Sequence, residues 1–323
     1  MMKQPLAQFV MDSLLKRTAH ARLDRVKDFV LNKLRLLLIR AGDPLVNYDL
    51  CGTQLVLPLS HNLPLIQKNY PHYSKNVARI ARCVRRKYAS LKFVDIGANI
   101  GDTVSLLRHY ARYPVLCIEG SPEFFRILEI NTLNMDEVYR SASFVGKADG
   151  RMEAALAYGH GTAHLTTGNS NLAMRSLGNI LSDYREFENP KMIKVDTDGM
   201  DGLIIKGAMD VVARARPILF FEYDPHFFRQ FGDDGLSLFV ELRGLGYKVA
   251  MIYDNYGEYM LSFFLSENEI LEDLHLYAFG RRGEKYYDIC LFHEEDIDLA
   301  RAVRSEEISF FAAFKRENHG NCS

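Results

Sequence analysis

The segment Phe93-Val-Asp95-Ile-Gly97-Ala98-Asn99-Ile-Gly101-Asp102-Thr103 constrains the fold more than any other part of this chain. Its first four residues predict a short strand, and the glycines predict a tight turn into a helix that begins near Thr103. A strand that ends in such a turn is the first half of a βα unit, and it brings bare backbone close to a ligand at the carboxyl edge of a sheet. The alternation continues, with strands predicted at 115–118, 144–148, 192–195 and 218–221. Ser121-Pro122-Glu123 opens a helix with a capping hydroxyl, a proline at the first helical position and an early acid. Residues 247–253 and 288–292 suit an antiparallel pair at the sheet edge. The expected class is α/β, a doubly wound Rossmann-like sheet, mostly parallel with an antiparallel edge, plus an N-terminal helical extension.

Around this domain, placed at 93–293, the chain divides into a helical extension (1–48), a lead-in strand with a basic helix (49–92) and a helical tail (294–323). In the lead-in, Leu55, Leu57 and Leu59 alternate as in a strand. Ser74 is placed to cap a helix with Val77, Ile80, Ala81, Val84 and Tyr88 on one face and Arg79, Arg82, Arg85 and Arg86 on the other. Residues 149–183 interrupt the α/β alternation. The Asp149-Gly150 turn signal and the later glycines predict a hairpin-like insertion that folds over the strand ends.

The formal net charge of −1 conceals segregation: from Leu50 to Val94 there are eight Lys or Arg and no acid, and residues 1–40 hold nine against three Asp. A basic block of this kind suits an anionic acceptor, a nucleic acid or a membrane surface. The arginine-rich helix lacks interleaved aromatics for stacking bases, so no nucleic-acid partner is expected. The N-terminal helices are read as burying their apolar stripe against a second copy, giving a homodimer, or as touching a membrane peripherally. Five scattered cysteines without a CxxC pair fit a reducing compartment. With no apolar run long enough for a span and no signal-like h-region, a cytoplasmic location is expected.

The chemistry concentrates at strand ends. A dinucleotide fingerprint would need glycine where Asn99 stands, which weighs against the alternative of an NAD-dependent enzyme. An acid such as Asp95 instead suits the ammonium of S-adenosylmethionine (SAM). Glu119, followed by Gly120, ends the second strand and can accept both ribose hydroxyls of a nucleoside. Asp149 is placed to meet an adenine amino group. Asp196 and Glu222 end neighbouring strands, with Asp196 expected near both methyl donor and acceptor and His226 expected as general base. The expected cofactor set is therefore Asp95, Gly97, Ala98, Asn99, Gly101, Glu119, Gly120, Asp149 and Asp196, and the expected catalytic set Asp196, Glu222 and His226. Asp196 and Glu222 are also the only candidates for a divalent metal, which is not favoured without a third ligand. His160 and His164 have HxxxH spacing, but glycines break the helix that a zinc pair would require.

DIGANIGDT, the CIEGSP segment, Met192-Ile-Lys194-Val-Asp196-Thr-Asp198-Gly199-Met-Asp201, Lys206-Gly207-Ala208 and Pro217-Ile-Leu-Phe-Phe-Glu222 occur in one order. Together they resemble the FkbM-type SAM-dependent methyltransferases. The resemblance implies a class I methyltransferase fold, SAM as cofactor and O-methylation of sugar or polyketide hydroxyls. The acceptor is thus expected to be a small molecule or glycan, with an anionic one suggested by the basic block. Asp198 and Asp201 depart from the family's glutamates. A methyltransferase-like partner subunit without turnover is the non-enzyme alternative.

Overall fold

The computed structural model describes residues 3–16, 22–159, 161–279 and 285–319. Thirteen strands occur among them: β1 (Leu45–Leu50), β2 (Thr53–Pro58), β3 (Phe93–Ile96), β4 (Val115–Glu119), β5 (Val138–Ala142), β6 (Phe144–Val145), β7 (Gly150–Gly159), β8 (Thr162–Arg175), β9 (Met192–Val195), β10 (Ile218–Tyr223), β11 (Tyr247–Asp254), β12 (Tyr259–Phe264) and β13 (Tyr287–His293). Eight form the main sheet in the order β12-β11-β13-β10-β9-β3-β4-β5. The neighbours from β5 to β10 are parallel, and β13 runs antiparallel to both β10 and β11. This is the expected doubly wound, mostly parallel α/β sheet, with helices on both faces.

Side-chain parity explains why both faces are covered. Val94, Ile96, Leu116, Ile118, Ile193, Val195, Leu219 and Phe221 point into one buried cluster. Phe93, Val115, Cys117, Met192, Ile218 and Phe220 point into the other. A strand apolar on both sides is stable only between two helical layers. The second cluster also takes in Val10 and Met11 of the first helix, Leu55 and Leu57 of β2, Ile80 and Val84 of the basic helix and Val303 near the C-terminus. Extension, lead-in and tail therefore share one core with the sheet; the tail's last four residues, like His160, lie outside the described residues.

Several expectations change. The third parallel strand is β5, while Phe144 and Val145 leave for a three-stranded sheet with β7 and β8. The strand at 287–293 is interior, and the edge belongs to β12, which the sequence reading missed. The 149–183 insertion is a hairpin, but its turn falls between the end of β7 at Gly159 and the start of β8 at Thr162, and Asp149-Gly150 only leads into β7. Ser74 sits at φ 58° and makes no capping bond.

The cationic side of the helix Lys75–Lys87 faces protein. Arg79 is buried and bonds both carboxylate oxygens of Glu307, at 2.7 and 2.8 Å. Arg82 and Arg86 share Glu306, and Lys87 pairs with Asp296 and Asp298. Acids of the C-terminal segment neutralise this face, so the charge of the basic helix is largely cancelled in space. It gives an anionic acceptor no support.

Candidate active site

Strand order reverses between β3 and β9, and a cavity of about 240 Å³ opens there beyond the carboxyl ends of the strands. That is where open α/β sheets bind ligands. Four ionisable residues occupy the same sheet face by parity: Asp95 lies opposite Lys194, and Glu222 opposite Asp288. The lead-in covers that face, so Tyr73 and Asn76 enter the cavity wall beside them.

The glycine turn forms the first wall. Gly97 has φ +80°, and a Cβ there would collide with the Asp196 carbonyl oxygen. Asn99 has φ 47°, which asparagine tolerates better than most residues. Its N–H donates to Glu119 Oε2 at 2.8 Å, while Ser121 N–H donates to Oε1 at 2.7 Å. Two backbone amides thus fix a carboxylate that is only 9% exposed, and burial raises its pKa. Each oxygen keeps a lone pair for a ligand hydroxyl. Gly120 leaves room for the Phe144 ring, which lines the cavity with Phe124.

The β7–β8 hairpin closes over this wall. Asn99 Nδ2 donates to the Gly161 carbonyl at 2.9 Å, and the absent Gly161 side chain leaves space for the His61 ring. Leu156, Ala163 and Leu165 of the hairpin line the cavity. His61 Nδ1 accepts from Leu63 N–H, and burial lowers its pKa to about 4, so it is neutral near pH 7.

Carboxylates crowd the other end around one cation. Lys194 Nζ lies 3.3 Å from Asp95 Oδ1 and 3.1 Å from Asp196 Oδ2. Asp196 is 47% exposed by its side chain, whereas Asp95 is fully buried. Burial, and then the charge of Asp196, pushes Asp198 and Asp201 up to about 7. Burial also lifts Asp288 to about 7, against a hydrogen bond from Asn76 Nδ2 at 2.9 Å. Glu222 is held well above the carboxylate range by burial and by Asp196, Asp198 and Asp201. Burial and the neighbouring acids thus favour the protonated form of Glu222, whereas Asp196 lies beside the ammonium and is half exposed.

Of the residues proposed from sequence, Gly97, Asn99, Glu119, Gly120, Asp196 and Glu222 line this one cavity. Ala98 and Gly101 stand behind it, Gly101 at φ +86° at the start of the helix Asp102–Tyr110. Asp95 is corrected from ligand contact to holding Lys194 from behind. Asp149 is corrected too: it accepts from Ser176 N–H at 2.9 Å at an exposed turn and does not line the cavity. His226 lies just inside the helix Pro225–Gln230, where its N–H donates to Asp224, and it also lies outside the cavity lining. Asp201 reaches back to the turn before its helix, accepting from Thr197 and Gly199.

Tyr73, Asn76, Asp102, Asn255, Tyr286 and Asp288 also line the cavity and were missed. Asp102 stood inside the quoted motif, and burial raises it to about 6. The others come from segments whose place in space no local pattern reveals. Among the described residues, no group of three or more His, Cys, Asp or Glu side chains is arranged to hold a metal ion.

Residues 95–249 match the methyltransferase FkbM domain. Among solved structures, methyltransferase FkbM from Methylobacillus flagellatus KT is 18% identical, over 50% of this chain and 40% of its own, with a TM-score of 0.38. This chain thus spans under half the length of that protein. The SAM-dependent methyltransferase from Agrobacterium tumefaciens is 9% identical over 77% of this chain and 70% of its own, with a TM-score of 0.40. M. jannaschii TYW2, solved in complex with AdoMet, is 10% identical over 78% of this chain and 88% of its own, with a TM-score of 0.38. No curated protein sequence matches the chain.

Proposed function

We propose that this chain, which carries a methyltransferase FkbM domain over residues 95–249, is a SAM-dependent O-methyltransferase acting on a hydroxyl of a sugar or glycoconjugate. The observation that carries this reading is the single cavity running from Glu119 and the glycine turn to Asp196, Glu222 and Asp288. Its donor end fits SAM by its chemistry. Glu119 offers two oriented acceptors for ribose hydroxyls, Phe124 and Phe144 offer an aromatic wall, and the surrounding acids favour a cation. The same acids would repel the pyrophosphate of a dinucleotide.

Bound there, SAM supplies a methyl group activated by its sulfonium. The chain's part is to hold an acceptor hydroxyl in line and to take its proton. Asp196 has one oxygen against Lys194 and the other available for the acceptor O–H. Glu222, whose protonated form is favoured by burial and neighbouring acids, donates a hydrogen bond that orients the acceptor. Tyr73, Asn76, Asn255 and Tyr286 add hydroxyl and amide groups of the kind that recognise a polyol. With the arginine helix covered by the C-terminal segment and acids at the acceptor end, a neutral acceptor replaces the anionic one expected from sequence.

Calorimetric titration with SAM and S-adenosylhomocysteine tests the cofactor, and absence of binding at high micromolar ligand overturns it. Labelled-methyl transfer to a glycan extract tests the reaction. The label should survive mild alkali, since ethers resist it; release would indicate a methyl ester instead. Asp196→Asn should slow transfer by about 100- to 1,000-fold while SAM still binds.

A further inference from the structure

The helix Arg22–Arg40 is apolar on two opposite sides. Leu31, Leu34, Leu38 and Ile39 pack inward against the core shared with β1 and β2. On the outward side, Val26, Phe29, Val30, Leu36 and Leu37 follow helical spacing and are exposed, Phe29 by 62% and Leu37 by 61%. Exposed Lys33 and Arg40 stand in the same stripe, with exposed Lys27 at its flank. Lys33 Nζ lies 5.4 Å from the Phe29 ring centre, so its stem runs along apolar surface while its ammonium reaches outward. A helix that needs only its inner stripe for folding has no use for a second one in water.

We propose that this outward face is a docking surface for an anionic phospholipid bilayer. Phe29, Val30 and Leu37 enter the headgroup–acyl boundary, while Lys27, Lys33 and Arg40 meet anionic headgroups. Charge selects this occupant. Residues 1–40 carry nine Lys or Arg against three Asp. A two-fold pairing of this face with a second copy would set its cations against their own kind. An anionic surface satisfies the apolar stripe and the cations together. The helix is also tied to the cavity wall: Arg35 donates to the carbonyls of Leu59 and Ser60 and to Asn62 Oδ1, each at 2.9 Å, immediately before Leu63, which lines the cavity. Docking therefore fixes the orientation of the cleft to the surface, whatever reaction the cleft performs.

Sedimentation of the full chain with phosphatidylcholine vesicles, with and without about one third phosphatidylglycerol, tests this. The chain should pellet with the anionic vesicles only, and about 1 M salt should release it. Phe29→Asp with Val30→Asp, and separately Lys27→Glu with Lys33→Glu, should each lower the partition coefficient at least about tenfold. Both double variants should keep the thermal midpoint and SAM response of the parent, which separates lost docking from lost folding. Failure to pellet, equal binding to both vesicles, or partition unchanged in both double variants overturns the proposal. So does a dimer that Phe29→Asp dissociates.

Discussion

Asp95 and Lys194 face each other across β3 and β9, carboxylate and ammonium 3.3 Å apart and both buried, and the same ammonium reaches Asp196 at 3.1 Å. One cation thus compensates an acid behind the site and orients another within it. Removing the cation leaves a buried uncompensated carboxylate. Lys194→Met should therefore lower stability by about 3–5 kcal/mol in urea unfolding. Adding Asp95→Asn should recover part of the loss. If Lys194→Met were as stable as the parent, this account of the pair would be wrong.

Glu119 ties the glycine turn to the start of the next helix through Asn99 and Ser121. Glu119→Ala should weaken SAM binding by about 10- to 100-fold in calorimetry, the value of a hydrogen bond or two to a charged acceptor. Glu119→Gln keeps one acceptor oxygen and should lose less. Equal SAM affinity in all three proteins would remove Glu119 from the cofactor site.

Asp198, Asp201 and Asp288 are held at about 7 and Asp102 at about 6, chiefly by burial, whereas unfolded aspartates ionise near about 4. Between about pH 4 and 7 the folded protein keeps protons that the unfolded chain has released. The contribution of this cluster to stability therefore falls as pH rises through that window and levels off above it. The thermal midpoint without ligand should be higher at about pH 5.5 than at about pH 8. A cationic ligand favours the ionised acids, so SAM affinity should rise over the same interval with release of protons into buffer. A midpoint that climbs from pH 5.5 to 8 would contradict the assignment.

Arg79 is 3% exposed and its partner Glu307 1%. Arg79→Leu should cost about 3–5 kcal/mol, because it strands a buried carboxylate. Arg79→Leu with Glu307→Leu should be far closer to the parent. A double-mutant cycle in chemical denaturation reads the coupling directly, and additive losses would show that the two do not act as a pair.

The sheet was legible in sequence because its signals are local. Apolar tetrads such as 115–118 and 218–221, each followed by a turn and a helix start, allow little else, and the glycine turn could be read before any coordinate. Half of the cavity followed, since Asn99, Glu119 and Asp196 sit at strand ends by position alone. Asp149 and His226 failed for one shared reason. Each lies just past a strand, but one accepts from Ser176, the capping residue of the helix Leu177–Asp183, and the other sits inside the first turn of its own helix, and a turn's direction is not written in residue type. Asp288 and Tyr73 were missed because they reach the site by antiparallel register and by packing of the lead-in, over more than a hundred residues of intervening chain in one case.

The sequence alone determined an α/β scaffold with a glycine turn at the end of its first parallel strand, since strand, glycine turn and helix start are decided within a few residues. Only the tertiary structure decided what the charges do. The basic block at 75–87 reads in sequence as a surface for anions, yet it is spent on Glu306, Glu307, Asp296 and Asp298, more than two hundred residues away. Lys194, one residue among the apolar side chains of a strand, becomes, among the described residues, the sole lysine or arginine lining the cavity. Charge acts through distance in space, and distance in space is what a linear order of residues leaves open.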